Sequence, residues 1–341
     1  MVPPRSWAYR TPNLRALSYR FAVCCDDEAL GRHIESLLSS LSDAGGAGGA
    51  DADLGDPHRY ALTASGEAGT LDAGRDDELV HAGLRIADAI DWLMWDVNRA
   101  AAEASGHHLL FHSGGVEAGG RGVLVPGTSG SGKSTLTAGL SRAGLGYLSD
   151  ELVALDLATG RLLPYPKPIT LKAGSYAALS GLAPDDPAQR AAPQWHVPVG
   201  VGGALGVGEP CVPAFVVAPR YDPAGPTELV PLSETEAFFT LALNAVNLMP
   251  HQTAGAEALG QLAARCGCYA LSISDLDEAC RLVLDVVGGL PGEGVARTGR
   301  ATGATGTGTG GTGGPERSER TEGSLMEREG AGRGQGHGHG G

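Results

Sequence analysis

Residues 127–135 have the types and the spacing that a protein needs to hold a phosphate chain. The segment Gly127-Thr128-Ser129-Gly130-Ser131-Gly132-Lys133-Ser134 matches the pattern G-x-x-x-x-G-K-[ST] of a phosphate-binding loop, or Walker A motif. Glycines let the backbone turn so tightly that several N–H groups point at one phosphate chain. A helix that begins at the loop adds the positive end of its dipole. We therefore expect nucleotide contacts from Gly127, Thr128, Ser129, Gly130, Ser131, Gly132, Lys133, Ser134 and Thr135.

Two side chains of the loop have separate tasks in this chemistry. Lys133 is expected to reach the β- and γ-phosphates of ATP, and the Ser134 hydroxyl is expected to ligate Mg²⁺. The flanking residues fit the motif, because residues 122–126 are a short apolar run and residues 134–143 form a helical segment that Gly144 stops. A strand, the loop and a helix are therefore predicted in that order.

A pair of carboxylates follows soon after the loop. Asp150 and Glu151 begin only 17 residues past Lys133. One helix (134–143), a turn (144–146) and a strand (147–149) fit between them. The chain thus leaves the phosphate site along the helix and returns along the strand. Both acids are expected near the phosphates.

At these residues the chain resembles the HPr kinase/phosphorylase family and its HPr-kinase-related P-loop kinases, including those of lasso-peptide gene clusters. The resemblance rests on His112, the loop, and the Asp150-Glu151 pair, which occur in the family's order with matching spacing. Residues 164–172, with three prolines, look like the proline-rich stretch of the related kinases. The resemblance to the family is good over residues 108–175 and looser over 15–107 and 210–287.

The resemblance implies an α/β fold with a P-loop kinase core of the HPr kinase/phosphoenolpyruvate carboxykinase type. It implies a catalytic set of Asp150, Lys133 and His112, in which Asp150 takes the acceptor's proton. It also implies that Ser134 and Glu151 organise Mg²⁺. The second acid is Glu151 where the family has Asp, and we find no downstream Arg-rich signature of the phosphorylase activity. Kinase chemistry therefore carries over better than phosphorylase chemistry.

These residues predict an ATP-dependent serine/threonine phosphotransferase. It would use ATP and Mg²⁺ to phosphorylate a hydroxyl on a peptide or small protein, since phosphoryl transfer mostly needs positioning and charge stabilisation. Two alternatives stay open: a kinase that acts on a small metabolite, and an accessory protein in which bound ATP only sets conformation.

Composition limits the partners of the chain. It has 341 residues and a net charge of −14, so no general attraction to nucleic acid or to an anionic membrane surface is expected. The sequence has no run of about 18 apolar residues, so no transmembrane helix is expected. The N-terminus lacks the features of a signal peptide, so none is expected there. The six cysteines are expected to be reduced thiols in a cytoplasmic protein. The oligomeric state is left open, a homo-oligomer included.

Lysine is rare in this chain and is confined to one region. Lys133, Lys167 and Lys172 are the only lysines among 25 basic residues. A compact ammonium is not equivalent to the planar guanidinium of arginine. For Lys133 the phosphate site supplies the reason, whereas a site role and a plain surface position are both open for Lys167 and Lys172.

The pattern of elements predicts three regions: an accessory α/β segment over 15–104, the P-loop core over 105–287, and a disordered Gly-rich tail over 288–341. In the first region we expect a strand over 15–25 and a helix from Asp26 to Leu41. A long helix is expected to begin at Asp76-Asp77-Glu78, with an apolar stripe running from Leu79 to Val97. Trp92 and Trp95 flank that stripe and are expected in the core or a domain contact.

Overall fold

The computed structural model describes residues 6–43, 56–200, 203 and 205–289. In these residues the protein is α/β and is built on mixed sheets. All of them belong to one compact unit. The predicted tail lies outside the described residues from residue 290 onward, and the boundary predicted between residues 104 and 105 stays a prediction.

Residues 9–104 form the first sheet and two helices. The strands are β1 (Tyr9–Arg10), β2 (Leu14–Ala16), β3 (Tyr19–Cys25), β4 (His58–Ala64), β5 (Thr70–Arg75) and β6 (Glu78–Arg85), and the helices are α1 (Glu28–Leu37) and α2 (Ile86–Ala104). The six-stranded sheet has the order β1-β3-β4-β5-β6, with β2 paired to β3. Phe21, Tyr60 and Leu93 are fully buried where the two helices pack on it.

The single strand predicted over 15–25 is instead two antiparallel strands. Leu17 has a positive φ of 54° between β2 and β3, so the chain reverses there. The helix predicted from Asp26 is confirmed over Glu28–Leu37, and Asp27 caps it by accepting a hydrogen bond from the Leu30 N–H. A short 3-10 turn over Ser39–Leu41 continues the segment to the predicted end.

The long helix predicted from Asp76 is wrong in its first ten residues. Asp76 and Asp77 have positive φ values of 51° and 70°, and they form the turn between β5 and β6. Asp is one of the few residues that adopts this conformation, which suits a tight hairpin turn. The predicted apolar stripe is not buried at its start, because Leu79 lies on β6 and is 60% exposed. The helix begins only at Ile86.

Residues 109–288 form the second part of the unit. The strands are β7 (Leu109–Ala118), β8 (Arg121–Pro126), β9 (Gly146–Ser149), β10 (Leu152–Asp156), β11 (Arg161–Leu163), β12 (Ile169–Lys172), β13 (Gln194–Val197), β14 (Val212–Tyr221), β15 (Glu228–Pro231) and β16 (Gly267–Ile273). Eight of them form a sheet with the order β11-β10-β7-β8-β14-β16-β15, in which β9 pairs with β7. The strands β8, β14 and β16 are parallel, while β7 is antiparallel to β8.

Helices cover this sheet, and several have the caps that their sequences predict. They are α3 (Lys133–Arg142), α4 (Pro187–Arg190), α5 (Glu234–Asn244), α6 (Leu248–Arg265) and α7 (Leu276–Gly288). Ser233 and Glu236 form a capping box at the start of α5. Helix α6 is kinked at Gln252, whose φ of 47° is not helical. None of the helices in the described part of the chain is long and apolar enough to cross a membrane.

The Pro- and Gly-rich segment over 183–208 contains regular structure. Gln194–Val197 is β13, which pairs antiparallel with β12 to form a separate two-stranded ribbon. Trp195 on β13 is 5% exposed and stacks on Tyr176, with 3.8 Å between the ring centroids. This stacking holds the ribbon in place, next to the glycine-rich loop that precedes α3.

The β5–β6 turn is tested by a pair of substitutions at Asp77. Asp77→Val places a β-branched side chain at φ 70°, and we expect it to lower the free energy of unfolding by about 1–2 kcal/mol. Asp77→Gly loses the same exposed contact with Arg59 but tolerates that φ, so it should change stability by less than about 0.5 kcal/mol. Urea unfolding of the two variants measures the difference. Equal stabilities would show that the turn is not strained.

Candidate active site

The loop lies between the end of β8 at Pro126 and the start of α3 at Lys133, which confirms the predicted strand and helix on its two sides. Gly130 and Gly132 have positive φ values of 84° and 99°, a conformation that side chains with a Cβ rarely adopt. A Cβ built at Gly127 would lie 2.6 Å from Ser131 Oγ. The tight course of the loop therefore depends on its glycines.

The loop fits a phosphate ligand. The Ser131 Oγ is buried and has no hydrogen-bond partner among the described residues, so a ligand oxygen can satisfy it. The N-terminal N–H groups of α3 lack partners inside the helix and face the same space. Thr135, on the first turn of α3, has its hydroxyl 2.6 Å from the Ser175 hydroxyl, which holds a neighbouring turn at the mouth of the site.

Lys133 is buried, with only 6% of its surface exposed. Its Nζ donates to the Thr128 carbonyl at 3.1 Å and lies 3.1 Å from His112 Nε2. Burial lowers the pKa of Lys133, and the charges of Glu151 and Asp150 oppose that shift. The ammonium is thus partly desolvated, a state in which added phosphate charge stabilises it.

His112 links the lysine to an acid. It lies on β7, directly opposite Leu152 at the start of β10. Its Nε2 faces Lys133, and its Nδ1 lies 3.5 Å from Glu151 Oε1. If Nε2 accepts from the ammonium, Nδ1 carries the proton and points it at the carboxylate. The three side chains therefore form one chain of complementary groups.

Asp150 is enclosed, although it is adjacent to Glu151 in sequence. It has no exposed surface, and its Oδ1 lies 2.6 Å from Lys167 Nζ. Tyr147 donates to the same oxygen at 2.9 Å, and the Thr170 N–H donates to Oδ2 at 3.2 Å. Burial raises the pKa of Tyr147, so its hydroxyl stays a donor. Lys167, whose place the sequence left open, is the buried partner of Asp150.

One cavity of about 650 Å³ contains most of the predicted site. Its wall includes the site residues His112, Ser129, Gly130, Gly132, Lys133, Ser134, Thr135 and Glu151. All three lysines of the chain line it. Asp150 does not line the cavity, but Lys167 and Thr170 do, so Asp150 lies behind them. The structure thus brings Lys133, Ser134 and Glu151 to one space. Asp150 lies outside it, and the loop residues Gly127, Thr128 and Ser131 do not line it either.

The cavity also has a side that sequence reasoning missed. Asp91, Trp95 and Asn98 from α2, and Gln194 and His196 from β13, line it opposite the loop. Trp95 is 62% exposed there rather than in the core, whereas Trp92 is buried. Neither α2 nor β13 carries a motif that indicates such a role. The spatial position of these residues depends on the packing of α2 against the ribbon.

No family model matches this sequence, and no curated protein matches it either. The resemblance to the HPr kinase/phosphorylase family therefore stays a prediction that rests on the motifs at residues 112–172.

The enclosed Asp150–Lys167 pair predicts a large stability effect from single substitutions. Asp150→Asn leaves the Lys167 ammonium buried without its carboxylate, so we expect a loss of about 3–5 kcal/mol in unfolding free energy. Lys167→Met should lower the unfolding free energy by a similar amount, because it leaves the Asp150 carboxylate buried without its ammonium partner. The double variant Asp150→Asn with Lys167→Met should be more stable than the sum of the two losses implies.

Urea unfolding of the four proteins measures these terms. Asp156, whose side chain caps a surface turn through the Thr159 hydroxyl, gives the control substitution Asp156→Asn. Single variants at residues 150 and 167 that are no less stable than this control would contradict the enclosed pair.

Proposed function

We propose that this chain is an ATP-dependent kinase that transfers the γ-phosphoryl group to a serine or threonine hydroxyl of a peptide or small protein. The observation that carries the proposal is the shared cavity of Lys133, Ser134 and Glu151 at the glycine-rich loop. A buried lysine, a hydroxyl on the first helical turn and a carboxylate are the groups that phosphoryl transfer requires. The proposal adds ATP and Mg²⁺ as the ligands that these groups would hold.

Each ligand has residues that fit it. The N–H groups of residues 128–134 and the unsatisfied Ser131 Oγ would hold the phosphates. The Ser134 hydroxyl and the Glu151 carboxylate would hold Mg²⁺, which usually takes few protein oxygens together with phosphates and water. The metal, when bound, would neutralise charge on the phosphate oxygens. In the described residues no group of three or more His, Cys, Asp or Glu side chains could form a metal cage of its own.

Lys133 would supply the main electrostatic stabilisation. In transfer, the acceptor hydroxyl gives its proton to a base, for which Asp150 is the candidate, and its oxygen forms a bond to the γ-phosphorus. The bond from phosphorus to the bridging oxygen breaks, with its electrons leaving on ADP. The ammonium would stabilise the charge that develops on the phosphoryl oxygens. His112 would hold the lysine by its contact at 3.1 Å, so that no reorganisation is needed at the moment of transfer.

The two acids have different access to the cavity. Glu151 is 40% exposed on its side chain and lines the cavity, so it can meet Mg·ATP without a rearrangement. Asp150 accepts from Lys167, Tyr147 and the Thr170 N–H, and it has no exposed surface and does not line the cavity, so a group in the cavity does not reach it in this arrangement. We therefore propose that Glu151 meets the nucleotide, and the role of Asp150 as the base is decided by the experiments below.

The proposal predicts that Lys133→Ala removes transfer and leaves the fold intact. One lost charge contact at a developing phosphoryl charge typically costs about 10²–10³ in rate. Phosphate incorporation from ATP into a serine/threonine peptide library measures transfer, and circular dichroism checks the fold. Arg281→Ala, a change at an exposed cation outside the cavity, is the control. Full turnover in well-folded Lys133→Ala would end the P-loop proposal.

A second prediction separates the two acids. Glu151→Gln should weaken Mg·ATP binding by about tenfold or more, because it removes a proposed metal ligand. Asp150→Asn, assayed below its unfolding temperature, should bind Mg·ATP within a few-fold of the wild type. If Asp150 is the base, its transfer rate falls by about 10²–10⁴ at saturating Mg·ATP. Calorimetry with and without EDTA measures the affinities. Unchanged affinity in Glu151→Gln together with lost affinity in Asp150→Asn would exchange the two roles.

A further inference from the structure

A second, smaller cavity adjoins the P-loop cavity. Its volume is about 190 Å³, and it lies between α1, α2 and residues 184–196. Most of its wall is apolar, formed by Leu37, Ile86, Ala87, Ile90, Pro184, Ala192 and Trp195. Its remaining wall includes Asp91, Gln194 and His196, which also line the P-loop cavity. The two spaces are therefore neighbours that share one polar partition.

The partition is a connected polar network. His196 Nε2 lies 2.6 Å from Asp91 Oδ1, and Gln194 Nε2 donates to Asp91 Oδ2 at 3.2 Å. The other ring nitrogen of His196 lies 3.4 Å from the Thr170 hydroxyl. Since the Thr170 N–H donates to Asp150, the partition is connected to the buried Asp150–Lys167 ion pair. The network joins α2 to the β12–β13 ribbon and fixes the two cavities relative to each other.

One face of α2 runs past both cavities. Ile86 and Ile90 line the small cavity, Asp91 lies at the partition, and Trp95 and Asn98 line the P-loop cavity. From Ile86–Ile90 to Trp95–Asn98 the helix advances by about eight residues, or about 12 Å. An extended peptide covers that length with three or four residues.

The face also has groups that suit a peptide. The Asn98 Oδ1 is buried and has no hydrogen-bond partner within the part of the chain that the structure describes, so it can accept from a peptide N–H. Trp95 offers an exposed ring beside it. The polar acceptor thus lies on the P-loop side, and the apolar walls lie on the far side of the partition.

We propose that the two cavities together bind the phosphoryl acceptor, and that the acceptor is a peptide segment in which an apolar side chain lies two to four residues from the serine or threonine. The hydroxyl residue lies in the P-loop cavity, and the apolar side chain fills the small cavity. This inference rests on the proposed kinase function. It names the substrate class that the site selects, since a well-fitted apolar pocket discriminates by about tenfold or more between side chains.

Affinity selection tests this inference without relying on transfer. The full-length chain, loaded with Mg²⁺ and the non-hydrolysable analogue AMP-PNP, is used to select from a random peptide library with a fixed central serine or threonine. We expect enrichment of Leu, Ile, Met or Phe at two to four positions from the centre, on one side. The same library with radiolabelled ATP then reports transfer separately.

Two neighbouring alanines provide the matched variants. Ala192→Phe fills the small cavity, whereas Ala191→Phe adds the same side chain at an exposed position outside it. Ala192→Phe should lower the affinity for an enriched peptide by about tenfold or more, and it should leave unchanged the weaker affinity for the same peptide with Gly at the apolar position. Ala191→Phe should behave as the wild type. Ala87→Phe, on the other wall of the cavity, gives a second variant if Ala192→Phe does not fold.

The outcomes separate this inference from the proposed function. Selected peptides that bind with the apolar preference but are not phosphorylated would refute kinase activity and support the binding site. Phosphorylation without any apolar preference, or with a preference that both cavity-filling variants retain, would overturn the inference and leave the kinase proposal standing. No enrichment of any peptide by the loaded wild type would also overturn it.

Discussion

The buried ion pair between Asp150 and Lys167 joins the elements on which the cavity depends. Two charges removed from water are stabilising only when their remaining hydrogen-bonding capacity is satisfied, and here Tyr147 and the Thr170 N–H complete the carboxylate. The pair connects the residue after β9 to the start of the ribbon. Because the ribbon carries Gln194 and His196, the pair helps to position the wall of the cavity that these two residues form.

The sheet explains why the loop and the acids meet. Strand β7 is antiparallel to β8 and pairs with both β9 and β10 on its other edge. The loop follows β8, the acids lie between β9 and β10, and His112 lies on β7 between them. A short helix and a short strand return the chain to that edge. The glycine-rich loop and Glu151 therefore face one space without a long connection, and Asp150 lies behind it.

The same site is built from two kinds of contact. The first kind is a row of contacts that runs from Lys133 through His112 to Glu151. It is partly open, so a charged ligand can reach it. Asp150, Lys167 and Tyr147 form a closed set that excludes water. The closed set can hold the geometry of the site, since rigid supporting contacts keep neighbouring groups in place, and the open row of contacts is the part that a ligand in the cavity can reach.

The local features of this protein were predictable from its sequence. The strand, loop and helix at residues 121–142, the capping box at Ser233 and the helix after Asp275 follow from glycine conformations, caps and apolar periodicity, which act within a few residues. The β5–β6 hairpin was missed, because Asp76 and Asp77 fit a helix start as well as a tight turn. The pairing of β6 with β5 stabilises the turn rather than a helix start.

Only the tertiary structure determined which acid is enclosed and what forms the far side of the cavity. Asp150 and Glu151 are neighbours of like chemistry, and their difference arises because Lys167 and Tyr147 meet one of them in the interior. Asp91 and His196 lie 105 residues apart and come within 2.6 Å only when α2 packs beside the ribbon. Such contacts depend on long-range packing of whole elements, which no short stretch of sequence specifies.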